Sequence, residues 1–156
     1  MRLRVIAVGT RMPAWVRTTC EDYLARLSGA LAASLTEVAP APRPAGSPVK
    51  PAIALEGRRL LAALQPRDHV VALDERGREL STRELAAWLG TRRQQGQDLA
   101  FLIGGPDGLA PEVLERSHFT LSLSRLTLPH ALVRVLLSEQ LYRAHCILTH
   151  HPYHRD

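Results

Sequence analysis

Aromatic side chains are scarce in this chain of 156 residues: two Trp, three Tyr and two Phe, 4% of the total. That argues against a nucleic-acid surface built from a row of stacking rings. Cysteine is nearly absent, and Cys20 and Cys146 form neither a disulfide framework nor a C-x-x-C metal knuckle, a usage that suits a reducing compartment. Lysine occurs once, as Lys50, against nineteen arginines. No apolar run approaches the roughly 20 residues needed to span a bilayer. The opening Met1-Arg2-Leu3-Arg4 followed by VIAV stops at Gly9, too short for a signal-peptide core, so it reads as a strand and the expected location is the cytoplasm. No G-x-G-x-x-G follows any strand pattern, which disfavours an ordinary Rossmann methyltransferase.

What is present is a soluble globular composition, 46% hydrophobic and 22% charged, of a length that fits one domain over residues 1–156. The net charge of +5 suits a polyanionic partner such as RNA. Short apolar strands are expected at Leu3 to Val8, around Leu35 to Val38, at His69 to Leu73, at Leu99 to Ile103 and at Phe119 to Leu123. Helices are expected between them. Val16, Cys20, Tyr23, Leu24 and Leu27 share one face of the first, which Ser28-Gly29 closes. The second runs from Ala52 to Leu64 with Ile53, Leu60, Leu61 and Leu64 inward. Ser81 and Glu84 form a capping box, with Leu80 stapled to Leu85, opening a helix that follows the Asp74-Glu75-Arg76-Gly77 turn. Pro111 to Arg116 is a short helix. The last helix runs from Pro129 to about His145 with Leu132, Val135, Leu136 and Tyr142 inward, Glu139 paired to Arg143, and Arg134 solvated or paired. Ala39 to Pro51, with five prolines, is a surface loop.

Strands alternating with helices imply an α/β fold with a mostly parallel sheet, five- to six-stranded, and ligands at the carboxyl ends of its strands. Leu73, the Gly104-Gly105-Pro106-Asp107-Gly108 turn and the loop Leu123 to Leu128 all fall at such ends. The glycines let backbone approach a ligand without Cβ obstruction, and a loop of Leu, Ser and Thr can surround a flat heterocycle. Leu73 taken alone reads as a core residue.

The ordered series IGGPDG, LSLSRLTLPH, LVRVLLSEQLYRA and HPYHRD, with VIAVGTRMPAWV and VVALDERGRELS before it, resembles the RlmH family of large-subunit ribosomal RNA methyltransferases of the SPOUT class. The resemblance covers nearly the whole chain. It implies helices on both sheet faces, a C-terminal trefoil knot, S-adenosylmethionine as methyl donor, and N3 of a pseudouridine in the helix 69 loop of 23S ribosomal RNA, in the assembled ribosome, as acceptor. It assigns donor recognition to Leu73, Gly104, Gly105, Leu123, Ser124, Arg125, Leu126, Thr127 and Leu128. An imide nitrogen losing its proton builds negative charge on the base, so cations and proton acceptors are sought nearby. The candidates are His130, Tyr153, His154 and Arg155: Arg155 for charge stabilisation or phosphate contact, His154 or His130 for the proton, and Tyr153 for stacking on the extruded base. The family also implies a homodimer, for which the Val133 and Leu137 face is the candidate interface.

The histidines His145, His150, His151 and His154 match no metal-ligand spacing, and no metal is expected. In the loop 39–51 only Arg43 and Lys50 are basic, where relatives are expected to carry several lysines gripping RNA. The competing readings are the same chemistry on another RNA and a non-catalytic ribosome-binding protein.

Overall fold

The computed structural model describes residues 1–27 and 31–155. In order along the chain come β1 (Arg2–Val8), α1 (Ala14–Ala25), β2 (Ala32–Val38), α2 (Lys50–Ala62), β3 (Asp68–Glu79), α3 (Thr82–Gln94), β4 (Asp98–Ile103), α4 (Pro111–Arg116), β5 (Phe119–Ser122) and α5 (His130–Leu148). Among the described residues they form one five-stranded sheet in the order β2-β1-β4-β3-β5, every pairing parallel. The closing turn expected at Ser28-Gly29 lies outside the described residues.

The side-chain alternation of the strands builds a core on each face of the sheet. Leu3, Val5 and Ala7 of β1 and Leu99, Phe101 and Ile103 of β4 pack with residues of α1, α3 and α5. Ile6, Val8, Ala100 and Leu102 point the other way, onto Leu60 of α2 and Val113 of α4. Helices thus cover both faces, as a parallel sheet requires. The capping box forms as read: the Glu84 amide donates to Ser81 Oγ at 3.1 Å, and the Ser81 amide donates to Glu84 Oε2 at 2.7 Å.

Two elements depart from expectation. The residues Asp74 to Gly77 are not a turn ending β3. The strand continues to Glu79, and Leu121 of β5 pairs with both Leu73 and Arg78 across a register shift. Gly77 permits this, because a Cβ there would stand 2.7 Å from the Thr120 carbonyl oxygen.

The second departure is the face of α5. Its buried residues are Arg134, Leu137, Ser138, Leu141, Tyr142, Ala144 and Cys146. Leu132 and Leu136, expected inward, are 37% and 40% exposed. Leu137, placed at the candidate dimer face, is fully buried in the monomer core. The pattern misleads because a cation occupies the inward stripe. Of the two readings of Arg134 the structure bears out the paired one: the side chain is 1% exposed and ion-paired to Glu37. It donates from Nη2 to the carbonyls of Val8 and Gly9 at 2.9 and 2.8 Å, and from Nη1 to Glu37 Oε2 at 2.6 Å. Gly9 has φ +119°, and a Cβ there would lie 3.1 Å from the same Nη2. A buried guanidinium is tolerated only when its donors find acceptors. Here it bolts the start of α5 to the carboxyl ends of β1 and β2.

Replacing Arg134 with Met leaves the Val8 and Gly9 carbonyls without that donor in the core. We expect a loss of about 3 kcal/mol in urea unfolding; an unchanged midpoint would contradict the bolt.

Candidate active site

A cavity of about 900 Å³ opens at the carboxyl ends of β4 and β5, beside the extension of β3. Leu73 to Arg76 close one side, Ile103 to Leu109 the floor, and residues between Leu121 and His130 the other side. Its size is at the upper end of the range for small-molecule sites. Eight of the nine residues expected to recognise a donor line it: Leu73, Gly104, Gly105, Leu123, Ser124, Leu126, Thr127 and Leu128. Leu73 is 8% exposed and serves both readings, as part of the core and as cavity wall. Arg125 does not line it; its side chain is 87% exposed, with Nε 3.9 Å from Glu79.

Local chemistry fixes each wall. The Gly104–Gly108 turn closes on itself, the Gly108 amide donating to the Gly105 carbonyl at 3.1 Å. Gly108 has φ +82°, which other residues rarely adopt, and a Cβ on Gly104 would meet the Gly108 oxygen at 2.7 Å. In the loop, Ser122 Oγ donates to the Ser124 carbonyl and the Leu126 amide donates to Ser124 Oγ, each at 2.9 Å. The Thr127 hydroxyl donates to Glu75 Oε2 at 2.9 Å, tying this loop to the β3 extension. Glu75 is a cavity residue that sequence reading missed. The clue was present in the same DERG stretch, masked by its resemblance to a turn.

His130 stands at the first position of α5 and lines the cavity. Its Nδ1 is buried without a hydrogen-bond partner. Burial lowers its pKa from the ordinary histidine value, the Arg134 guanidinium one turn along lowers it further, and Arg43 adds to this against an opposing Glu56. The positive end of α5 acts in the same direction. His130 is therefore a neutral imidazole at pH 7, with a lone pair to accept a proton.

The tail is elsewhere. Tyr153 packs its ring on Tyr142 with centroids 4.7 Å apart, under the Arg143 guanidinium at 4.7 Å. Its hydroxyl donates to Glu139 Oε1 at 3.1 Å and lies 3.5 Å from the Tyr23 hydroxyl. These contacts, Tyr23 foremost, hold the phenol proton on well above the usual range. Glu139 is nine residues after His130, roughly 14 Å along a helix rising 1.5 Å per residue. Tyr153, His154 and Arg155 thus do not line the cavity of their own chain. The expected Glu139–Arg143 pair is present at 2.6 Å. Arg43, read as what remained of an RNA-gripping loop, is instead held by Glu56 and Asp107.

A parallel α/β sheet with a cavity at its strand ends and an apolar loop leading into the last helix is a fold that solved structures share. A probable methyltransferase from Bordetella pertussis superposes with a TM-score of 0.55 at 21% identity, covering 91% of this chain and 95% of that one. A probable methylase family protein from Haemophilus influenzae gives 0.58 at 15% identity, covering 99% of this chain and 70% of that one. The sequence narrows the class: residues 1–154 match the family described as predicted SPOUT methyltransferase, and the chain belongs to that family. It is 52% identical to the ribosomal RNA large subunit methyltransferase H of Bordetella avium over 99% of both chains. Identity to the protein of that name from Thiobacillus denitrificans is 51% over the full length of both.

Gly104→Ala places a methyl group against the Gly108 carbonyl. Binding of S-adenosylmethionine, followed by calorimetry, is expected to weaken at least tenfold; unchanged affinity would remove the turn from the site.

Proposed function

We propose that this chain is a single-domain S-adenosylmethionine-dependent methyltransferase acting on 23S ribosomal RNA. We assign the acceptor as N3 of a pseudouridine in the helix 69 loop, presented by the assembled ribosome. The observation that carries the reading is the convergence of the glycine turn, the Leu123 to Leu128 loop and His130 on one cavity. The names of the relatives above support ribosomal RNA as substrate, and the net charge of +5 is compatible with it.

The cavity suits the donor. Its lining of Leu73, Leu123, Leu126 and Leu128 offers apolar surface to an adenine ring. When bound, the donor supplies an electrophilic methyl group on sulfur. What the chain must add is alignment of the acceptor nitrogen and removal of its proton. His130 holds that proton: its lone pair receives N3–H as the new N–C bond forms. Protonation of His130 stops it. Transfer should therefore fall as pH drops through the lowered pKa of His130, below the ordinary histidine range, and His130→Ala should flatten that acid limb. A limb that persists in the variant would reassign the base.

The tail of one chain does not reach its own cavity, so Arg155 acts across a homodimer: the partner's tail approaches the cavity and its guanidinium stabilises the anionic base. Leu132 and Leu136 on α5, exposed despite their size, and Trp15 on α1 at 55% exposure suit that interface. The knot fits the same topology, because β5 sits beyond β3 at the sheet edge while α5 returns to pack on α1 and α3. The protein is taken to work in the cytoplasm; no helix among the described residues is long and apolar enough to cross a membrane.

Mixing chains tests the arrangement. Arg155→Ala should bind the donor normally and transfer methyl to ribosomes at a small fraction of the wild-type rate, and His130→Ala should be similarly impaired. Co-refolded together, they regenerate one intact site per mixed dimer, about a quarter of wild-type activity for random pairing. No recovery would place Arg155 with its own chain's cavity or outside catalysis.

A further inference from the structure

The proline-rich segment between β2 and α2 carries a feature that the reading above does not use. Pro42 and Pro44 flank Arg43, so the backbone on both sides of it is restrained before folding. Arg43 forks onto Glu56 of α2, Nη1 to Oε2 and Nη2 to Oε1, both at 2.8 Å. Its Nε donates to Asp107 Oδ2 at 2.7 Å. The Glu56 carboxylate is 2% exposed and takes a third bond from the Ala41 amide at 3.0 Å, while Arg43 Nη1 closes the ring on the Ala41 carbonyl at 3.1 Å. Directly above lies Gly105: a Cβ there would stand 3.2 Å from Glu56 Oε1.

All five donor bonds of a guanidinium point along a fixed plane. Engaging Asp107 with one edge while Glu56 holds the other therefore sets the height of the Gly104–Gly108 turn over α2. Asp107 and Gly105 line the cavity; Arg43 and Glu56 do not. The Glu56 carboxylate at the base of this ion pair is buried, and the Arg43 bond to Asp107 adds a side-chain tie to a turn whose own internal bond runs from Gly108 to Gly105.

We propose that Arg43 and Glu56 are positioning residues for the methyl-donor site, holding the glycine turn at the level from which its backbone meets the donor. This rests on the donor reading of the cavity. Gly104, Gly105 and Asp107 all line the cavity, and Asp107 is the handle by which Arg43 holds the turn.

The test measures S-adenosylmethionine affinity by calorimetry, amide hydrogen exchange at Gly108 and thermal stability in Arg43→Gln, Asp107→Asn, the double variant and Arg43→Lys. Arg43→Gln is expected to weaken donor binding about tenfold and to speed exchange at Gly108 without donor. Asp107→Asn should do so to a similar extent. The double variant should bind the donor no worse than the weaker single one, because the Arg43–Asp107 contact is the one through which both act on the turn. Arg43→Lys, which keeps the charge and loses the fork, should recover little. Additive losses, or a fall in melting temperature with donor affinity and Gly108 exchange unchanged, would overturn the proposal and leave a purely structural ion pair. If the variants exchange and bind as wild type does, the proposal falls alone. If wild type fails to bind the donor, the cavity reading falls and the proposal with it.

Discussion

One buried cation organises the catalytic end of this molecule. Arg134 reaches from α5 to the last carbonyls of β1 and to a carboxylate at the end of β2. Charges are rarely withdrawn from water so completely, and this one is held because each of its polar edges but Nε meets an acceptor. The consequence is positional. His130 lies one helical turn before Arg134, and the Leu123 to Leu128 loop leads directly into His130. Fixing the helix start against the sheet therefore fixes both the loop that surrounds the cavity and the imidazole that faces it. The same guanidinium supplies part of the field that keeps that imidazole neutral. Structure and chemistry share a single side chain here.

The cavity walls are each secured from a different side. The β3 extension is made possible by the close approach of Gly77 to Thr120, and through Glu75 it holds Thr127. The glycine turn is held from below by the proline-rich segment. The tip of the Leu123 to Leu128 loop, with Leu126 at 74% exposure, stands out from the protein. A ligand entering between fixed walls loses little affinity to ordering them, so the cost of organising the site is met largely on folding.

The sequence made much of this legible, for identifiable reasons. Alternating apolar strands gave the parallel sheet, because buried strands carry continuous Val, Leu and Ile runs that little else explains. Ser81 and Glu84 marked α3 by a rule that operates within four residues. Glycine at positions 104 and 105, with an apolar loop at another strand end, marks the cavity in the sequence itself. The misreadings share a cause. Arg134 and Arg43 are charged residues satisfied by partners elsewhere in the fold, Arg134 by Glu37 and the end of β1 and Arg43 by Glu56 and Asp107, and local pattern does not show such partners. The inward face of α5 was misplaced because Arg134 and Ser138 occupy the stripe that apolar residues usually fill. The β3 extension was hidden because Asp-Glu-Arg-Gly has turn composition, while its strand geometry depends on β5, more than forty residues on. The tail's position relative to the cavity is a matter of tertiary geometry and assembly, on which local pattern is silent.

The claim on which the rest converges is methyl transfer to one ribosomal base. Its most direct measurement is mass spectrometry of the helix 69 fragment after incubating the protein and S-adenosylmethionine with ribosomes lacking the modification, in parallel with free 23S RNA. The account predicts one added methyl on the pseudouridine in assembled ribosomes and none on free RNA. Donor binding with no methyl on either substrate would contradict the assignment of this base and direct the same chemistry to another RNA.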